Sequence, residues 1–103
     1  MLNLKIDLTG KKALVTGGSR GIGKAIAIAL AEAGADVAIN YLRKKAAADE
    51  TADMIRAKGR EALTIRANVG EHENIHDMIK EIEDNFGKID ILVSNAASGV
   101  LKP

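Results

Sequence analysis

The sequence predicts an α/β fold, in which an open sheet of parallel strands carries helices on both faces. Two observations support this prediction. Short apolar runs alternate along the chain with longer segments in which apolar residues recur at helical spacing. The links between these segments are short, and strands that alternate with helices in this way pair in parallel through right-handed crossovers. We therefore expect four strands in the spatial order 3-2-1-4.

Four segments have the pattern of buried strands. Residues 12–16, KALVT, form an apolar run that ends in a glycine-rich turn. Residues 36–41, DVAINY, and residues 61–67, EALTIRA, are the second and third predicted strands, and residues 90–94, DILVS, are the fourth. Because the fourth helix that should follow is absent, we expect the chain to hold only part of such a fold.

Three segments between the strands have helical spacing. The first ends at Gly34, and its predicted buried face consists of Ile22, Ile26, Ala29, Leu30 and Ala33. The second, residues 44–58, is rich in alanine and charge and stops at Gly59. The third stops at Gly87, and its predicted buried face consists of Ile75, Met78, Ile79, Ile82 and Phe86. We expect these faces to cover the sheet.

Composition narrows the classes of protein and partner. A chain of 103 residues supports one core, and a formal charge of +1 is too even for wholesale neutralisation of nucleic acid phosphates. Tyr41 and Phe86 are its only aromatic residues, too few for a base-stacking platform. There is no cysteine, and no apolar run resembles a signal peptide or membrane span. We predict a cytoplasmic protein with neither a nucleic acid nor a membrane partner.

The first strand leads into a glycine motif, TGGSRGIG, at residues 16–23. Gly17, Gly21 and Gly23 lie between a strand and a helix, where glycines let the backbone turn sharply and approach a pyrophosphate. The N–H groups at the helix start can receive the anion, and Ser19 can add a hydroxyl donor. The motif predicts a Rossmann-type dinucleotide site; the alternative is a turn that only lets the helix pack closely.

The end of the second strand bears on which dinucleotide is bound. An acidic residue at this place usually binds the ribose 2′-hydroxyl, whereas neutral and basic groups admit a 2′-phosphate. This chain has residues 40–44, NYLRK, there, and Arg20 projects from the glycine loop towards the same side. Arg43 and Arg20 together predict NADP rather than NAD. The alternative is that the basic residues 43–45 are a solvated helix start.

Two further stretches follow strands at the edge where such sheets bind ligands. Asn68 could hydrogen-bond an adenine edge while Val69 packs on the ring. After the fourth strand, Asn95 precedes Ala96 and Ala97, whose small side chains would let a cofactor ribose lie against the backbone. The alternative is ordinary loop chemistry.

A competing motif lies at residues 72–76, HENIH, which satisfies the H-E-x-x-H pattern of zinc metalloproteases. A catalytic zinc needs a third protein ligand, and the carboxylates that follow lie along the same helix or just beyond it. The apolar face places His76 about 100 degrees from Ile75, towards solvent. We therefore expect surface histidines and no metal site.

Together the motifs resemble the N-terminal part of the short-chain dehydrogenases/reductases. That family carries T-G-x-x-x-G-x-G after its first strand, an acidic or amide residue plus valine after the third, and N-N-A-G after the fourth. Residues 16–23, 68–69 and 94–97 match these motifs in order and spacing, although Ser94 replaces the first asparagine and Ala97 the glycine. The residues that the resemblance assigns to the cofactor are Gly17, Ser19, Arg20, Gly21, Ile22, Gly23, Tyr41, Arg43, Asn68, Val69, Asn95, Ala96 and Ala97.

The resemblance also implies an activity. This activity is similar to that of the NADPH-dependent enoyl-acyl-carrier-protein reductases of fatty-acid biosynthesis, which reduce a carrier-linked acyl thioester. The resemblance also implies a homo-oligomer, namely a tetramer. A 3-oxoacyl-carrier-protein reductase is the nearest alternative, and a nucleotide-binding module without chemistry is an alternative of another class. The family's catalytic Tyr-x-x-x-Lys set has no counterpart here, so residues 1–103 are expected to be the cofactor-binding half, inactive alone, with no catalytic residue to assign.

Overall fold

The structure, a computed structural model, describes residues 6–18 and 21–95. Its elements follow the chain in the order β1 (Lys12–Thr16), α1 (Gly21–Glu32), β2 (Asp36–Tyr41), α2 (Lys45–Arg56), β3 (Ala62–Arg66), α3 (His72–Phe86) and β4 (Ile91–Ser94). The first two strands have their predicted bounds, and the other predicted segments are trimmed at their ends, where hydrogen-bonded structure frays. The predicted alternation of strands and helices is confirmed.

The strands form one sheet in the order β3-β2-β1-β4, and every adjacent pair is parallel. This is the predicted order. In this register Thr16 of β1 lies between Asn40 of β2 and Ser94 of β4, and Asn40 is also opposite Ile65 of β3. The carboxyl ends of all four strands therefore meet at one edge of the sheet.

The two faces of the sheet have separate cores. On one face, Ala13 and Val15 of β1 pack in a cluster with residues of α1 and α2, while Leu14 points to the other face and packs in a cluster with residues of α3. This alternation follows from the two-residue period of a strand. The prediction of helices on both faces is confirmed. Within the part of the chain that the structure describes, no helix combines the length and apolar character needed to cross a bilayer.

Helix α1 packs through a different face from the one predicted. Its buried residues are Gly23, Ala27 and Ala31, spaced four residues apart, whereas Ile22 is 72% exposed and Ala29 is exposed. Small residues let the helix approach the sheet closely, and the larger side chains flank the contact. The prediction, which followed the largest apolar residues, was therefore wrong for Ile22 and Ala29, whereas Ile26 and Leu30 are half-buried and pack against the same cluster. On α3 the predicted face is confirmed, with Met78, Ile82 and Phe86 buried.

An ion pair joins the amino ends of β1 and β2. Lys12 Nζ lies 2.6 Å from Asp36 Oδ2 and 5.1 Å from the centre of the Phe86 ring. Burial raises the pKa of Asp36, but hydrogen bonds from Lys12 and from the Glu61 backbone N–H outweigh it and hold that pKa below its usual value. The Asp36 hydrogen bond likewise raises the pKa of Lys12. The pair therefore stabilises the folded state in its charged form.

Asp36→Asn should lower the free energy of unfolding at neutral pH by about 1–3 kcal/mol, because Lys12 loses its charged partner. A depressed carboxyl pKa gives stability that is complete above the unfolded value near 3.8 and disappears as the pH falls through the folded value. Urea unfolding of both proteins at a series of pH values, from neutral to strongly acidic, measures this difference.

The matched control is Asp53→Asn. It removes an ion pair with Arg56 in which the Asp53 side chain is 76% exposed. Exposed pairs contribute little, so this variant should unfold almost as the wild type does. A difference between wild type and Asp36→Asn that stays constant down to the most acidic pH would contradict the role of the charge.

Candidate functional site

The ends of β1 and β4 are held together by Thr16 and Asn95. The Thr16 hydroxyl accepts a hydrogen bond from the Asn95 backbone N–H at 2.9 Å and donates one to the Val93 carbonyl at 3.4 Å. Asn95 Nδ2 in turn donates to the Gly17 carbonyl at 3.4 Å. The first glycine of the motif and the residue after β4 therefore form one hydrogen-bonded unit, at the place where the sequence predicted a cofactor site.

The glycines of the motif do different things. Gly17 and Gly21 have positive φ values of 68° and 62°, a conformation that glycine adopts without strain. A Cβ on Gly21 would meet no heavy atom of residues 6–18 or 21–95 within 4 Å, so these residues leave the surface there open to a ligand. A Cβ on Gly23 would collide with the Gly17 carbonyl oxygen and lie 2.6 Å from Asn95 Nδ2. The third glycine therefore serves close packing of helix and loop, and its contact with a cofactor stays a prediction.

The start of α1 carries a positive partial charge that no side chain of its first turn offsets. Helix α1 has twelve residues and no acidic residue in that turn. The N–H groups of the first turn have no partner within the helix and favour an anion. Ile22, beside them, places an apolar side chain in solvent at 72% exposure. An anionic ligand with an apolar or aromatic portion fits this combination of groups.

The loop after β2 holds the predicted discriminating residues. Arg43 is exposed between β2 and α2, and Lys44 caps α2 without a side-chain hydrogen bond to the helix. The first turn of α2 also lacks an acidic residue. The side chain of Tyr41, by contrast, is 9% exposed and belongs to the cluster beneath α1 and α2. The ring therefore has a packing role, and its contact with a cofactor stays a prediction.

The loop after β3 is shaped by Asn68. Its Oδ1 accepts a hydrogen bond from the Gly70 N–H at 2.9 Å, and its carbonyl accepts one from the Glu71 N–H at 3.2 Å. The amide oxygen is thus engaged in a local turn, and Nδ2 is the group left to recognise an adenine nitrogen. Val69 is half-buried and packs against the α3 cluster, which limits how much of it a base could contact.

Asn40 was not assigned to the site by the sequence, yet it lies at its centre. It is 2% exposed at the end of β2 and hydrogen-bonds both to the glycine loop and to the Ala67 carbonyl that precedes Asn68. The feature of the sequence that could have indicated this role is an amide within an apolar run. A buried amide must have hydrogen-bond partners. Four of the predicted cofactor residues, Ser19, Arg20, Ala96 and Ala97, lie outside the described residues.

Two other places are less suited to a cofactor. His72 and His76 are both exposed on α3, and residues 6–18 and 21–95 contain no group of three or more His, Cys, Asp or Glu that could hold a metal ion. An open groove of about 320 Å³ beside Asn68 includes the carboxylates of Glu71, Asp77 and Glu81. Its negative charge opposes the phosphates of a dinucleotide.

Residues 11–103 match the family model described as short chain dehydrogenase. The chain belongs to the short-chain dehydrogenase family. One relative is the 3-oxoacyl-[acyl-carrier-protein] reductase FabG of Staphylococcus epidermidis, which is 50% identical to this chain over 86 residues. The match covers 84% of this chain and 35% of FabG. The chain thus spans about a third of the length of that reductase.

Two further comparisons concern length and cofactor. The short-chain dehydrogenase/reductase homolog YusS of Bacillus subtilis is 46% identical over 92 residues, covering 89% of this chain and 84% of that protein. A crystal structure of a short chain dehydrogenase from Burkholderia cenocepacia J2315 in complex with NADP is 47% identical, with a TM-score of 0.83. That match covers 86% of this chain and 36% of the other.

These relatives bear on the expected activity. FabG is named for the reduction of a 3-oxoacyl group, the alternative that the sequence offered, and none of the three proteins described above is named as an enoyl reductase. The comparisons therefore favour the alternative over the enoyl expectation. They agree with the expected family and with the Rossmann-type fold.

Proposed function

We propose that this chain is the NADP-binding part of a reductase that acts on 3-oxoacyl thioesters. The observation that carries the proposal is the set of strand ends tied together by Thr16, Gly17 and Asn95, beside the start of α1, whose first turn contains no acidic residue. Ligands of open α/β sheets bind at this carboxyl edge, where helix N-termini receive phosphate. The family and the relatives described above support the same proposal.

The described residues fit a dinucleotide at this edge. The pyrophosphate would be held by the N–H groups at the start of α1, over the open surface at Gly21, with Ile22 against the apolar part of the cofactor. Arg43 would bind the 2′-phosphate and Asn68 the adenine, while Asn95 would lie nearest the nicotinamide ribose. NADPH, when bound, supplies a hydride.

The substrate proposed is a 3-oxoacyl group on an acyl carrier protein, reduced to the 3-hydroxyacyl product. A hydride adds to the carbonyl carbon, and a proton is needed at the oxygen. Tyr41 is the only tyrosine of the chain, and its ring is packed in the core. We therefore place the proton donor in a catalytic half outside residues 1–103, in a cytoplasmic protein that assembles into a homo-oligomer.

A second candidate function is a nucleotide-binding module without chemistry of its own. The observation that favours it is the match to YusS, which this chain covers over 84% of that protein's length, so a curated relative of comparable size exists. The two candidates share the cofactor site and differ in turnover.

Activity of the complete gene product separates these candidates. We expect NADPH oxidation with a 3-oxoacyl thioester and little with the matching enoyl thioester. Faster oxidation with the enoyl thioester would overturn the assignment to the carbonyl substrate. NADPH binding without turnover on either substrate would favour the binding module, and the isolated 103-residue chain is expected to bind without turnover.

Arg43→Ala is expected to weaken NADPH binding by about tenfold or more and to leave NADH binding nearly unchanged, because only NADPH has the 2′-phosphate that the guanidinium would bind. Fluorescence titration with both cofactors measures the ratio. The control is Lys58→Ala, which removes a cation paired with Glu32 near the other end of α2 and should leave both affinities unchanged. An equal loss for both cofactors in Arg43→Ala would contradict its role in selecting NADPH.

A further inference from the structure

Asn40 is a buried amide where the sheet would ordinarily have an apolar residue. It is 2% exposed, on a strand that has neighbours on both sides, and the residues before it on β2, Val37, Ala38 and Ile39, are fully buried and apolar. Burying an amide is costly unless its donor and acceptor groups are hydrogen-bonded. Its partners therefore indicate what the residue does.

Apart from the carbonyl of the neighbouring Tyr41, 3.5 Å from its Nδ2, the partners of Asn40 belong to two different loops of the carboxyl edge. Its backbone carbonyl accepts hydrogen bonds from the N–H groups of Gly17 at 3.1 Å and Gly18 at 3.3 Å, and its Oδ1 lies 3.4 Å from the same Gly17 nitrogen. Its Nδ2 donates to the Ala67 carbonyl at 3.0 Å. Asn40 thus contacts Gly17 and Gly18 of the glycine loop on one side and Ala67, the residue before Asn68, on the other.

These two loops serve different parts of the ligand under the proposed function, on which this inference rests. The glycine loop is assigned to the pyrophosphate and Asn68 to the adenine. The backbone ladder between β2 and β3 ends at this point, where the Tyr41 carbonyl accepts a hydrogen bond from the Ala67 N–H as the last rung. The Asn40 side chain adds a link of fixed length beyond the ladder.

We propose that Asn40 is a positioning residue that fixes the separation between the glycine loop and the Asn68 loop. It does not touch the ligand. Its effect is to keep two weak half-sites in register, so that a dinucleotide held by its adenine finds the pyrophosphate half-site in place. Preorganisation of this kind increases the affinity for a ligand that spans both half-sites more than the affinity for a fragment that occupies one.

The chemistry of the amide makes the proposal specific. Asn40→Asp keeps the shape and the acceptor but replaces the Nδ2 donor with an oxygen that faces the Ala67 carbonyl. Asn40→Ser keeps a small hydroxyl that can donate but is too short to span the same distance. The two variants therefore break the link to Ala67 in different ways. Asn40→Ser buries no charge, so the proposal can be tested on this variant if Asn40→Asp does not fold.

The test compares the affinity for the whole dinucleotide with the affinity for its adenosine part. Dissociation constants for NADPH and for adenosine 2′-monophosphate are measured on wild type, on both Asn40 variants and on Thr51→Val, below the unfolding transition of each protein. Thr51 is the matched control, since its side chain is also fully buried and donates to a carbonyl, that of Ala47, within α2 and away from the loops.

We expect the dissociation constant of NADPH to rise by about tenfold in the Asn40 variants while that of the fragment stays almost unchanged, so that the ratio of the NADPH constant to the fragment constant rises by about tenfold. Thr51→Val should lose stability and keep the ratio. An unchanged ratio in folded Asn40 variants, or an equal loss for ligand and fragment, would overturn the positioning role alone. Failure of the wild type to bind NADPH would instead overturn the proposed function.

Discussion

Gly23→Ala is expected to lower the free energy of unfolding by at least about 2 kcal/mol and to abolish measurable NADPH binding. In the first turn of an ordinary helix the same change would stabilise, since alanine is the better helix former by about 1 kcal/mol. Here the new Cβ would collide with the Gly17 carbonyl oxygen and lie 2.6 Å from Asn95 Nδ2. The loop cannot easily retreat, because the Gly17 N–H is bound to Asn40 at 3.1 Å.

The control for this prediction is Gly59→Ala. Gly59 has a φ of +82°, and a Cβ there would meet no heavy atom within 4 Å, so alanine adds backbone strain of about 1 kcal/mol without a clash. That variant lies beyond α2, far from the site in the fold, and should bind NADPH as the wild type does. Chemical unfolding and cofactor titration of both variants measure the effects. A Gly23→Ala protein that is as stable as the wild type would show that α1 does not pack on the loop as described.

Ile82→Ala and Ile22→Ala make the same truncation with opposite expected results. Ile82 is fully buried on the inner face of α3, in the cluster that contains Leu14, and its truncation should cost about 2–5 kcal/mol of stability. Ile22 is 72% exposed at the start of α1, so its truncation should change stability by no more than about 0.5 kcal/mol. NADPH binding should weaken several-fold in Ile22→Ala, because the apolar surface offered to the cofactor is reduced.

Urea unfolding and NADPH titration on the two isoleucine variants give a two-by-two comparison. Ile82→Ala, measured where it is still folded, should keep its cofactor affinity, since α3 covers the other face of the sheet. Were Ile22→Ala as destabilising as Ile82→Ala, the side chain would be part of the core, as its helical spacing first predicted. Unchanged NADPH affinity in Ile22→Ala would remove it from the cofactor site.

The features that the sequence predicted best are those fixed by local pattern. The bounds of β1 and β2 are as predicted because a parallel strand covered on both faces is a continuous apolar run that stands out between polar turns. The strand order follows from the alternation of strands and helices, since right-handed crossovers leave few arrangements. The glycine motif is recognisable because Gly17 and Gly21 have a positive φ and Gly23 has no room for a side chain.

The features that were missed depend on tertiary contacts. The buried face of α1 consists of Gly23, Ala27 and Ala31, because close approach to the sheet selects small residues over large apolar ones. The sequence did not show that the ring of Tyr41 packs in the core, and its contact with a cofactor stays a prediction. Asn40 was overlooked because its partners, Gly17 and Ala67, are far away in sequence and come together only when three strands pair.

The most direct test of the cofactor site is calorimetric titration of the 103-residue chain with NADPH and with NADH in parallel. We predict that one NADPH binds per chain and that its dissociation constant is lower than that of NADH by about tenfold or more, because the 2′-phosphate gains the charge of Arg43. Equal affinities for the two cofactors would contradict the assignment to NADP. Absence of binding by either one, to a chain shown to be folded, would contradict the cofactor site itself.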